Sequence, residues 1–206
     1  MGEAAGVRLD VTVEATEKKA FASVLGWPGW CRSGRTEDAA LDALLVYRDR
    51  YDVVAREAGL ALPDDVELHV VERLPGTGTT AFGAPDRRSA YEDGPVTEQD
   101  LALLQASWRV LDRVVAGAPE TLRKGPRGGG RDRDAVATHV REAQHAYARS
   151  VGVRLTPAES ADMARAHAEL LQALRTAPPE KTPRYWVRRA TWHVLDHAWE
   201  IEDKSD

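Results

Sequence analysis

Two histidines four residues apart, His193 and His197, lie in the last helical stretch of the chain, from Arg184 to Asp203. At about 100° per residue they stand one turn apart on one face, within about 40° of each other. Two imidazoles so placed bind one divalent ion with little strain, because the helix sets their separation before the ion arrives. Glu200 falls about 20° to the other side of His193, and Trp186, Arg189 and Ala190 complete the face. A carboxylate and a cation thus share the surface with the pair. Glu200 becomes the candidate acid/base, or the group that orients a ligand. The same spacing also serves a hydrogen-bonded core edge or a solvated face, so a metal reading needs a third ligand from elsewhere.

The third ligand has to come from another element. From Thr97 onward the apolar periodicity is wholly helical. Thr97-Glu-Gln-Asp100 reads as a capping box ahead of the stripe Leu101, Leu104, Trp108, Leu111 and Val115. Asp132 or Asp134 caps a second helix running to about Ser150, with Val136, His139, Ala143, Ala146 and Tyr147 on its inner side and His145 pointing away. Thr156-Pro-Ala-Glu159 opens a third, whose apolar face carries Met163, His167, Leu170, Leu171 and Leu174. Thr182-Pro183 starts the fourth. Four amphipathic helices joined by modest loops predict a four-helix bundle over residues 97–206, in which inward His139 can meet His193 and His197. Three histidines that leave open positions on an ion make a reactive arrangement, because water or a substrate atom can join it.

The first part of the chain has a different rhythm. Val7, Leu9, Val11 and Val13 alternate with polar residues, Ala20 to Leu25 reads as an antiparallel partner, and Gly26-Trp-Pro-Gly-Trp30 ends it. Thr36 caps one helix over about Glu37 to Ala58, and Asp65 to Leu74 alternates again, with His69 at an edge. The fold class expected is therefore α+β: a small ββαβ module over residues 1–75, a linker over 76–96 with a short strand near Thr79 to Phe82, and the bundle.

Composition narrows the function. With 206 residues, 43% of them apolar, the chain can bury a sizeable core. A formal net charge of −5 disfavours nucleic acid or an anionic membrane as the main partner, although Arg123 to Arg133 forms a local basic, Gly-rich loop. No apolar run reaches the length of a membrane span, the start lacks a signal peptide pattern, and the single cysteine, Cys31, suits a reducing compartment; a cytoplasmic protein is expected.

The residues Arg133-Asp-Ala-Val-Ala-Thr-His139-Val-Arg-Glu-Ala-Gln, followed by Trp192-His193-Val-Leu-Asp-His197-Ala-Trp-Glu, resemble the DinB superfamily in order, spacing and bundle position. The resemblance implies that His139, His193 and His197 bind a divalent metal, zinc or nickel. It further implies kinship with thiol-cofactor-dependent S-transferases and maleylpyruvate isomerases, in which the metal activates the thiolate of mycothiol or bacillithiol. An Ala-, Arg- and Gly-rich composition looks like a GC-rich genome and points to mycothiol. The basic loop and Arg188 or Arg189 are candidates to bind an anionic cofactor or substrate. Residues 7–74, with Trp27-Pro-Gly-Trp-Cys31 ahead of Thr36-Glu-Asp-Ala-Ala-Leu, look like the HicB-type antitoxin fold, which implies a shape and a partner-recognition module. The expectation is a metal-dependent transferase or isomerase acting on a small molecule or thiol, with a homodimer as a further option. The competing expectation is a non-catalytic binding or regulatory protein whose histidines are structural.

Overall fold

The computed structural model describes residues 6–125 and 129–205, so the first residues of the chain and the centre of the basic loop lie outside it. The architecture is α+β. Strands β1 (Val7–Ala15), β2 (Ala20–Val24), β3 (Cys31–Gly34) and β4 (Val66–Pro75) form one sheet in the order β3-β2-β1-β4. Its β1–β2 and β2–β3 pairs are antiparallel and β1–β4 is parallel. The strand β3 was not expected: four residues, Cys-Arg-Ser-Gly, carry no alternation of their own, and pairing with β2 creates the strand.

The expected single helix after Thr36 is two helices, α1 (Glu37–Val46) and α2 (Arg48–Glu57), which break at Tyr47. Thr36 does cap the first, accepting the amide of Ala39. Trp30 is fully buried beneath them, stacked on Tyr51 at 5.2 Å, with its indole N–H donated to the Leu44 carbonyl at 3.0 Å. His69 is exposed at the sheet edge beside Arg8 and Asp10.

The stretch after β4 has no apolar period, yet it is pinned. Glu14 of β1, 5% exposed, accepts the Thr80 hydroxyl at 2.8 Å and the amides of Asp86 and Arg87 at 2.8 and 2.6 Å. The short strand expected near Thr79 to Phe82 is instead the helix α3 (Gly78–Phe82), because Thr77 and Thr80 cap one another's backbone across a capping box.

The four bundle helices follow as α4 (Glu98–Gly117), α5 (Arg133–Ser150), α6 and α7 (Pro157–Ala161 and Met163–Thr176, separated at Asp162), and α8 (Pro183–Lys204). The capping boxes at Thr97/Asp100 and Thr156/Glu159 are present. At α5 the Asp132 side chain caps nothing; its carboxylate takes the Leu122 amide at 3.2 Å and Lys124 at 2.5 Å.

Helix α8 organises everything else through three stripes. Val187, Ala190, Val194, Ala198 and Ile201 enter the bundle core, whereas Leu195 and Trp199 join the core under the sheet with Leu103, Ala106 and Val110 of α4. The core beneath the sheet is thus shared by the two parts of the chain. Gly29, at the tip of the β2–β3 connection with φ +90°, touches this helix so closely that a Cβ there would meet Thr191 Cγ2 at 2.6 Å. The third stripe, Trp186, Arg189, His193, His197 and Glu200, is only partly buried and carries the polar chemistry.

Candidate metal centre

Helix α5 packs on α8 and brings His139 over the histidine pair. Ring centroids are 4.6 Å apart for His193 and His197, 5.1 Å for His139 and His193, and 4.9 Å for His139 and His197. One nitrogen from each ring can be chosen so that all three lie within 4.8 Å of one another. The inner face of α5 differs from the expected one: Val136, Val140, Gln144 and Ala148 are its buried line, and Ala146 is exposed. His139 therefore sits at the edge of that line, turned toward α8.

Four observations test whether the trio suits a metal. First, the His197 ring donates Nδ1–H to Glu200 Oε2 at 2.7 Å, since a charged carboxylate cannot donate; in the neutral ring this tautomer keeps the Nε2 lone pair for a ligand bond. Second, that bond, followed by the one from Lys204 at 2.5 Å, holds the Glu200 carboxyl down at about 2, so it stays charged as an orienter must. Third, His193 Nδ1 is buried without a hydrogen-bond partner, one of two such side-chain atoms on this stripe, the other being Arg189 Nε. Fourth, burial, followed by the charges of His197 and His139, pushes His193 down to about 3, and burial lowers His139 as well. Neutral imidazole is the form that binds a cation. The donor set, three nitrogens without a thiolate, fits a borderline ion bonded at about 2.0–2.1 Å and leaves coordination positions open.

Around the trio stand Tyr147, whose ring is 5.9 Å from that of His193, and Trp186, 6.1 Å from Tyr147. Arg189 is on the same stripe, but its guanidinium turns to the preceding loop, donating to the Pro85 carbonyl and to Asp86 Oδ1 at 3.2 Å, with Nε buried and unpartnered. Arg188 is committed elsewhere, buried against Glu92 and the Arg87 carbonyl. In the described part of the basic loop, Arg123 donates to the Asp203 carbonyl at 2.7 Å and Arg133 to the Ala118 carbonyl at 2.9 Å, so both have internal partners. Sequence reasoning gave no role to Tyr147 or Lys204. Tyr147 was visible on the inner face of α5 without a motif to single it out, and Lys204 stands four residues beyond Glu200, the spacing of a helical ion pair.

The site is joined to the sheet through α8. Trp192, next to His193, packs edge-on against Phe21 of β2 at 6.1 Å. Arg32 of β3 pairs with Asp196 at 3.3 Å and lies 4.1 Å over the Tyr47 ring. Among the described residues no helix is long and apolar enough to cross a membrane. Compared with protein-family models, curated proteins and solved structures, the chain matches none, so the functional reading rests on this geometry and on the motif.

Proposed function

We propose that the protein is a metal-dependent enzyme of the DinB type, a transferase or isomerase that uses a low-molecular-weight thiol such as mycothiol. The observation that supports it most is the convergence of three histidine nitrogens, with the outer nitrogen of His197 tied to Glu200. His139, His193 and His197 would hold the ion, zinc or nickel. Bound there, a divalent ion supplies Lewis acidity and lowers the pKa of a thiol or water that it meets. The protein residues do the rest. Glu200 keeps His197 in one tautomer and one orientation, and Lys204 keeps Glu200 charged. Tyr147 and Trp186 form the wall against which a small substrate lies, and Arg189 would meet an anionic group there only by leaving Pro85 and Asp86. The DinB kinship is proposed from the His139 and His193/His197 motif alone.

The test is elemental analysis of the purified full-length protein, beside the His193→Ala variant. Near-stoichiometric zinc or nickel, lost in the variant, is expected. Metal-free protein, or metal content indifferent to His193→Ala, would overturn the reading and leave the binding-protein alternative. A thermal-shift screen of the metal-loaded protein against thiols then addresses the thiol, because a ligand specific for the folded state raises the midpoint with its concentration.

A further inference from the structure

On the far side of α5, a cavity of about 380 Å³ opens between α4, α5 and α7. It is separate from the histidine trio, since Arg141, on its wall, lies about 160° round the helix from His139. Its volume is in the range of small-molecule sites, roughly 300–1,000 Å³. The floor is built and rigid. The His167 ring lies flat on the Trp108 indole, centroids 3.6 Å apart and 5° between planes, and His167 Nε2 is 3.0 Å from Gln144 Oε1. An amide oxygen can only accept, so Nε2 carries the proton and the ring is fixed.

Three polar groups belong to this wall, the two charged ones at its exposed mouth. Trp108 is 5% exposed, and its indole N–H is buried with no acceptor. Arg141 has one side-chain bond, to the Thr138 hydroxyl at 3.3 Å, and no carboxylate within salt-bridge distance among the described residues. Asp112 likewise has no cation within that distance there, and it is not bonded to Arg141 although both line the same cavity. Asp134, the other carboxylate, is already paired with Arg133 at 2.8 Å. The apolar part of the lining comes from Leu111, Val115 and Met163.

An acid alone would satisfy Arg141 and meet repulsion from Asp112, and an amine alone would do the reverse. We propose that this cavity is a second small-molecule site, one that takes a zwitterion with an apolar body, such as a free amino acid with an aromatic or branched side chain. Its carboxylate lies with Arg141, its ammonium with Asp112, and its side chain on the apolar wall.

L-phenylalanine, 3-phenylpropionate and phenethylamine share a body and differ in which charge they keep. Titrated calorimetrically into the full chain, L-phenylalanine is expected to bind saturably, with each single-charge analogue weaker by about tenfold or more. In Arg141→Ala, L-phenylalanine falls to the level of the amine, whose own binding is unchanged; in Asp112→Asn it falls to the level of the acid. Both changes are at the exposed mouth, so the fold survives them. The Trp108 indole resonance, assigned by its loss in Trp108→Phe, shifts on binding of L-phenylalanine. Binding persists in His193→Ala, which separates this site from the metal centre. The proposal is overturned if L-phenylalanine does not saturate, binds no better than either analogue, or is indifferent to both variants.

Discussion

His167 and His193 are both partly buried histidines of the helical half, and what completes them differs. His167 is finished by its own neighbours: Trp108 covers its face and Gln144 accepts its proton. Around His193 the nearest polar groups are two more histidines, and its Nδ1 is buried without a partner. Burial lowers both, His167 to about 4 and His193 to about 3. Low pKa therefore does not distinguish a core histidine from a ligand. The distinction lies in whether the ring N–H finds an acceptor inside the fold or the ring nitrogens converge on a common point that the fold leaves to something else.

That contrast can be broken most forcefully at the ligands. His193→Ala should weaken zinc binding, read by competition with a chromophoric chelator, by more than the 10–100-fold that loss of an outer partner costs, whereas His167→Ala should leave it unchanged. Equal losses in the two variants would erase the difference between the neighbourhoods. Next in size, Glu200→Gln should weaken the metal by about 10–100-fold while the fold is kept, since the amide can still meet His197 but without charge.

The pH dependence sharpens the contrast further. In metal-free protein both histidines are neutral when folded and titrate near 6.5 when unfolded, so below pH 6.5 the unfolded chain takes up protons that the folded chain refuses until about pH 4 for His167 and about pH 3 for His193. Stability is full above pH 6.5 and falls as the pH drops through that window. Urea midpoints from pH 8 to pH 4 should follow this slope. Added zinc should raise the midpoint at pH 8 and still raise it at pH 5, because His193 refuses competing protons until about pH 3. The smallest effect belongs to the second neighbourhood: Gln144→Met leaves the His167 N–H without its acceptor and should cost about 1–2 kcal/mol in urea denaturation, with metal affinity untouched.

Much of the candidate centre could be read from the sequence because its geometry is local. An i, i+4 pair fixes its own spacing, and Thr97 and Thr156 announce helix starts with partners three residues away. His139 required only the right side of α5, and the ideal wheel gave it although the buried line proved to run through Val140 and Gln144. The features that stayed hidden depend on distant partners. Strand β3 exists through β2, the break at Tyr47 has no Pro or Gly to mark it, and the ordering of residues 80–87 comes from Glu14, 66 to 73 residues away. Arg189 shows the same limit. Its face was predictable, but its engagement with Pro85 and Asp86 depends on where that loop is held.

The three stripes of α8 make its register a shared constraint. One residue inserted between Trp192 and His193 would turn the histidines about 100° relative to the preceding half of the helix. It would turn Leu195, Trp199 and Ile201 with them, away from the two cores that receive them. No length change in this helix can therefore be confined to the site: the polar stripe and the two apolar ones are inherited together, and the chain tolerates variation here by exchange of side chains, not by insertion or deletion.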